Sequence, residues 1–172
     1  MSMCSWRLSF AWKRLAALVP TKTHSAPDAT SYYFSSRREG AGAASRNDWK
    51  TTPLPAQRQA INLDRTYAAA EFTRLQQGHV PLDMDDRWFV FYEEPWLYLH
   101  RSWTGFCVYQ VRFEPTTDEV RCAESLVNRE SRQYRMTDDD RDVLFLKFLL
   151  DGYAGRPTED SWRRFFDSQS SG

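Results

Sequence analysis

The chain has 172 residues, 41% hydrophobic and 27% charged, the composition of one globular domain with a tail rather than of a disordered or membrane-spanning chain. Its 23 basic residues balance 23 acidic ones, which argues against duplex nucleic acid as a partner, because such binders carry a basic excess. No apolar stretch approaches the roughly 20 residues of a membrane span.

Aromatic residues make up 15% of the chain, with seven Trp, more than a core of this size needs. Some rings are therefore expected at a binding surface, where Trp and Tyr favour half-buried positions. Cys4, Cys107 and Cys122 show no paired spacing, and a reducing compartment, the cytoplasm, is the simplest setting. His24, His79 and His100 are scattered, so no zinc site is read, and no metal or cofactor is expected.

Residues 1–48 read as a weakly structured N-terminal extension and 49–172 as a single domain. Met1 to Pro27 carries Arg7, Lys13, Arg14 and Lys22 and no acid, and is Ser-rich, a composition shared by poorly ordered tails and transit peptides. Ser35 to Ser45 reads as linker. From Ala56 to Gln77 the pattern predicts a helix, with Ile61, Ala68, Phe72 and Leu75 on one side and Gly78 as terminator.

The period then changes. Arg87 to Glu93 predicts a strand, Glu94-Pro95 a turn, and Trp96 to His100 a second strand. Phe106 to Phe113 predicts a third, and Glu119 to Val127 a fourth, more polar strand at a sheet edge. Thr137 to Asp140 predicts a capped second helix, deeply packed over Val143 to Leu150 and ended by Gly152, and Glu159 to Phe166 a short amphipathic turn or helix. The expected fold is α+β: an antiparallel four-stranded meander with flanking N- and C-terminal helices, in the order α-β-β-β-β-α.

Alternation along the strands puts Trp96, Tyr98 and His100 on one face, and Phe106, Val108, Gln110 and Arg112 on one face of the next strand. A face that mixes Trp, Tyr, His and Gln suits the wall of a wet pocket, or else an aromatic core whose polar tips find partners. The run His100-Arg101-Ser102-Trp103-Thr104-Gly105 is the densest feature. Histidine supplies acid–base capacity near neutral pH. Arg101 supplies a fork for phosphate or carboxylate. Ser102 and Thr104 offer hydroxyls, Trp103 a stacking plane and Gly105 freedom to turn. The alternative is a hairpin turn whose His and Arg cap backbone carbonyls.

Other polar groups read more simply. Glu93 and Glu94 could be a carboxylate pair but suit a solvated turn, and Asp83, Asp85 and Asp86 a solvated loop. Asn128-Arg129 and Arg132-Gln133-Tyr134 could add polar contacts or form a surface loop. No phosphate-binding loop, dinucleotide glycine pattern or nucleophile elbow occurs.

Met84 to Phe89, Leu97 to Phe106 and Tyr109-Gln110-Val111 resemble an uncharacterised bacterial family of small stand-alone proteins, similar segments of which lie beside ADP-ribosylglycohydrolase-type or macro-type domains. The resemblance spans about Ile61 to Asp151. It implies bacterial cytoplasm, a role near ADP-ribose or NAD chemistry, and a start codon placed upstream of the functional one.

The leading expectation is a module for a small nucleotide-like or ADP-ribose-like anion, with His100, Arg101, Ser102, Trp103, Thr104 and Gly105 at its centre and Arg87, Tyr98 and Gln110 as wall. The second is an enzyme acting on a nucleotide or glycosidic bond, with His100 as acid or base and Glu93 as its carboxylate. The third is a protein-interaction module of immunity or antitoxin type, its aromatics forming a hot spot.

Overall fold

Two aromatic-rich runs, one from Trp88 to Glu93 and one from Trp96 to Arg101, pair as an antiparallel hairpin. The computed structural model describes residues 42–82, 86–160 and 163–164; the readings of residues 1–41, Asp83, Met84 and Asp85 lie outside them. Strands β1 (Arg58–Ala60) and β2 (Thr66–Ala68) precede helix α1 (Ala69–Gln77). Strands β3 (Trp88–Glu93), β4 (Trp96–Arg101), β5 (Cys107–Pro115) and β6 (Glu119–Asn128) follow, then helix α2 (Asp139–Ala154).

The expected meander is present as antiparallel β3–β4, β4–β5 and β5–β6 pairs. The sheet has six strands rather than four, in the order β1-β6-β5-β4-β3 with β2 also on β6. Residues 56–68 therefore do not extend the first helix. Ile61, Leu63 and Tyr67 are buried while Asn62, Asp64, Thr66 and Ala68 are exposed, a period of two rather than 3.6. β1 pairs with β6 from Arg58 opposite Asn128, and β2 from Thr66 opposite Arg121. Strand β6 is consequently interior, not an edge; its outer hydrogen-bonding groups are met by two short strands.

Gly78 ends α1 as expected, with φ 65° and its amide donating to Leu75 O at 3.0 Å. A Cβ there would stand 2.2 Å from Val90 O, so the site requires glycine. Helix α2 is capped by Asp138 rather than Thr137, its side chain accepting from the Arg141 amide. It runs through Gly152 and ends at Gly155 in the left-handed region. Of the expected Glu159 to Phe166 element, Glu159, Asp160, Arg163 and Arg164 are described, in helical conformation.

Both helices cover one face of the sheet. Leu75 from α1 and Leu146, Phe148, Leu149 and Leu150 from α2 share one core with Trp88, Val90, Leu97, Leu99, Tyr109, Val111 and Phe113. Burying each such side chain stabilises by roughly 1.5–3 kcal/mol. Phe89 and Phe91 project from the opposite face into a smaller cluster with Ala44, Val80 and Tyr98. Ala44 is the surprise: it falls in the expected linker from Ser35 to Ser45, within the extension read as weakly structured, yet it packs on the sheet. Its amide donates to Gln77 O at 2.8 Å and it is 4% exposed.

Candidate functional site

The loop after β4 is closed by its own backbone, Gly105 N donating to Arg101 O at 2.7 Å and Arg101 N to Phe106 O at 2.9 Å. Gly105 adopts φ 78°, and a Cβ there would stand 2.9 Å from Lys50 O. Ser102 is buried; its hydroxyl donates to Asp86 O at 2.6 Å and its amide to Arg87 O at 3.1 Å. That hydroxyl ties two segments together and is committed to structure. Thr104 is exposed and its Oγ1 accepts the Phe106 amide.

Beside this loop lies a cleft of about 290 Å³ lined by Arg87, Arg101, Ser102, Trp103 and Thr104. The Trp103 ring is 64% exposed. The Arg101 guanidinium carbon lies 4.3 Å from the centroid of the buried Trp88 ring, which stacks in turn on Tyr109 at 5.9 Å. A cation held over an indole gains roughly 0.5–2 kcal/mol, so the Arg101 fork is restrained by packing. Arg87 is exposed at the start of β3 and adds a second cation.

A polar network supports this stack from beneath. Tyr109 and Tyr134 each place a hydroxyl 2.6 Å from Asp142 Oδ1, and Arg129 Nη1 donates to Asp142 Oδ2 at 2.6 Å. Asp142 is fully buried, a position a carboxylate occupies only when paired and hydrogen-bonded. Burial pushes the Tyr134 hydroxyl up, with the Arg101 charge working against it. Asn128 joins the network's edge, donating to Cys107 O and Gln133 Oε1. Asn128, Arg129 and Tyr134 thus brace the core from within, while Ser131 and Arg132 between them are exposed.

The sheet divides the expected site residues. Arg87, Arg101, Ser102, Trp103 and Thr104 come together at the cleft. His100 and Tyr98 lie on the opposite face, in contact with Phe91, and Gln110 is opposite Tyr98 on β5. A bulge between Leu99 and His100 sets Cys107 opposite His100. Val108 enters the helix-side core, so Cys107 rather than Val108 is on the His100 face. His100 is 1% exposed, stacked on Phe91 at 5.5 Å, and its Nδ1 donates to Gly105 O at 2.8 Å. Burial holds the imidazole below its ordinary value, which favours the neutral ring, and its Nδ1 bond to Gly105 O braces the loop.

The structure does not bring His100 and Glu93 together. Phe89 is the residue opposite His100, and Glu93 lies four residues farther along β3, about 13 Å away at a strand's rise. Glu93 is paired with Arg46, which holds its carboxyl below the usual carboxylate range. Among the described residues lining the cleft, none carries a carboxylate or an imidazole. The side chains that line it are two guanidinium groups, the Ser102 and Thr104 hydroxyls and an indole ring. Among the described residues no group of three or more His, Cys, Asp or Glu could hold a metal ion, and no helix is long and apolar enough to cross a membrane.

The sequence reading missed the contribution of residues 44–52. Arg46 lies over the Phe91 and Tyr98 rings at 5.2 and 5.3 Å. Trp49 Nε1 donates to Ser102 O at 2.8 Å, Lys50 Nζ donates to Trp103 O, and Thr52 bridges to Phe106 in parallel. One signal was available: β-branched Thr51 and Thr52 precede Pro53, and the residue before proline favours extended backbone. Comparison of the chain with protein-family models, with curated proteins and with solved structures finds no match.

Proposed function

We propose that the domain binds a small anionic ligand carrying a flat ring, of nucleotide or ADP-ribose type, in the cleft beside Trp103. The observation that carries this reading is the convergence of Arg87, Arg101 and the exposed Trp103 ring on one cleft of about 290 Å³. Two guanidinium groups suit a phosphate or carboxylate, and an indole plane suits a heterocycle. The volume lies at the low end for small-molecule sites, consistent with one nucleotide unit or a part of a larger ligand. The family resemblance puts ADP-ribose and NAD first among candidates, and the free Cys107 and Cys122 thiols fit a reducing cytoplasm. The test is a thermal-shift screen with AMP, NAD and ADP-ribose. A ligand at 100 times its dissociation constant stabilises by about 2.7 kcal/mol; no shift with any of them at millimolar concentration would reject this ligand class.

A second reading is favoured by a separate observation. Trp49, Leu82 and Trp103 are the exposed large hydrophobics among the described residues, at 36%, 42% and 64%. Trp49 and Trp103 both belong to the Ser102 region, and Leu82 is tied through its amide to Asp86, which accepts the Ser102 hydroxyl. Such clustering suits a protein interface. A folded domain that ignores every nucleotide, yet whose self-association or partner binding is lost in Trp103→Ala, would favour that reading.

A further inference from the structure

One short stretch of chain holds three carbonyls of the cleft loop. Ser102 O accepts from Trp49 Nε1 at 2.8 Å, Trp103 O from Lys50 Nζ, and Gly105 O from the Thr52 amide at 2.7 Å. The return bond runs from Cys107 N to Thr52 O at 3.1 Å. The absence of a side chain at Gly105 lets the two backbones touch, since a Cβ would meet Lys50 O at 2.9 Å. Closing the turn needs none of these bonds, because Gly105 N to Arg101 O and Arg101 N to Phe106 O already do so. The residues just before it are themselves anchored, Arg46 on Glu93 and Ala44 N on Gln77 O at the end of α1.

We propose that Trp49 and Lys50 are positioning residues of the cleft: by occupying the Ser102 and Trp103 carbonyls they fix the plane of Trp103 relative to the Arg101 fork. The proposal rests on reading the cleft as a ligand site. Neither side chain is among the described residues lining the cleft, so they act through the loop and not by contact. A loop fixed before the ligand arrives loses less freedom on binding, and affinity rises accordingly. Without the two donors, the loop samples other orientations and only a fraction of molecules is ready to bind.

The test is the double variant Trp49→Phe/Lys50→Met, which keeps an aromatic ring and an aliphatic stem while deleting both donors. Two readouts are taken: hydrogen exchange at the Ser102 and Gly105 amides, and calorimetric titration with ADP-ribose. The account expects exchange at those amides to rise about tenfold, with α2 amides unchanged, and ADP-ribose affinity to fall about tenfold, the factor that follows when only about one molecule in ten holds the loop ready to bind. Restoring a donor with Trp49→Phe/Lys50→Arg should recover part of both. Unchanged exchange overturns the proposal, as does faster exchange with unchanged affinity. If the parent ignores ADP-ribose while exchange still rises, the ligand reading fails and the mechanical coupling stands. Should the double variant lose cooperative unfolding, Lys50→Met alone, at an exposed position, is judged by the same two readouts.

Discussion

Arg46 and Glu93, 47 residues apart in sequence, form a two-pronged pair, with Nε 3.0 Å from one carboxylate oxygen and Nη2 2.5 Å from the other. The pair pins the N-terminal stretch across the Phe91 and Tyr98 rings. Both side chains are 45% exposed, so solvent screening keeps the ion pair itself small. Arg46→Ala should lower stability by about 1 kcal/mol, the ring contact included, read as a shifted denaturation midpoint. Extending a deletion from residue 43 to residue 48 should cost more, because Ala44 is buried in the cluster with Phe89 and Phe91.

The helix α2 core gives a larger effect. Leu146 and Phe148 are fully buried, so Leu146→Ala and Phe148→Ala should each cost about 2–5 kcal/mol. Chemical denaturation measures both. Near-neutral results at both positions would contradict the placement of α2 on the sheet.

Asp142 answers two tyrosine hydroxyls and Arg129 from a fully buried position. Asp142→Ala should cost about 3–5 kcal/mol, since it leaves the largely buried Arg129 cation with Asp139 alone and takes the carboxylate from two buried tyrosine hydroxyls. Tyr109→Phe, which leaves Tyr134 and Arg129 on the carboxylate, should cost only about 1 kcal/mol. Equal costs would show that the network is not centred on Asp142.

How much of this was legible beforehand follows from the range of the contacts. The β3–β4–β5–β6 meander was readable because each strand is joined to the next by a short turn and its partners lie close in sequence. Strands β1 and β2 were not: three residues each, they are stable only because β6 lies beside them, and helical spacing of Ile61, Ala68, Phe72 and Leu75 masked the alternation of Ile61, Leu63 and Tyr67. At the site, the cluster of Arg101, Ser102, Trp103 and Thr104 was visible as a contiguous run. Alternation put His100 on the Tyr98 face, but the bulge opposite it, which sends Val108 into the helix-side core and sets Cys107 beside His100, is marked by no local pattern. The role of Trp49 and Lys50, whose partners lie 53 residues away, was not visible either.

His100 also predicts a pH dependence with a definite sign. Burial holds its folded-state value below the ordinary 6.5, so the unfolded chain takes up a proton first as pH falls. The contribution of His100 to stability is therefore full above about 6.5 and is lost progressively below it. His100→Asn, which retains a donor near the Nδ1 position for Gly105 O, should show a shallower loss of stability as pH falls below about 6.5. An identical slope in both proteins would mean that another group carries the dependence.

The most direct test of the cleft as an anion site is calorimetric titration of the parent and Arg101→Ala with ADP-ribose, each beside a denaturant melt. If the Arg101 fork, set on Trp88, grips the anionic group, the variant should bind about ten- to a hundredfold more weakly, roughly 1.5–3 kcal/mol. It should still unfold cooperatively, with a stability loss no larger than the roughly 0.5–2 kcal/mol of the lost ring contact. Trp103→Ala, at an exposed position, should weaken binding by about 1–3 kcal/mol through lost stacking. Parent-like affinity in a folded Arg101→Ala protein would contradict the account.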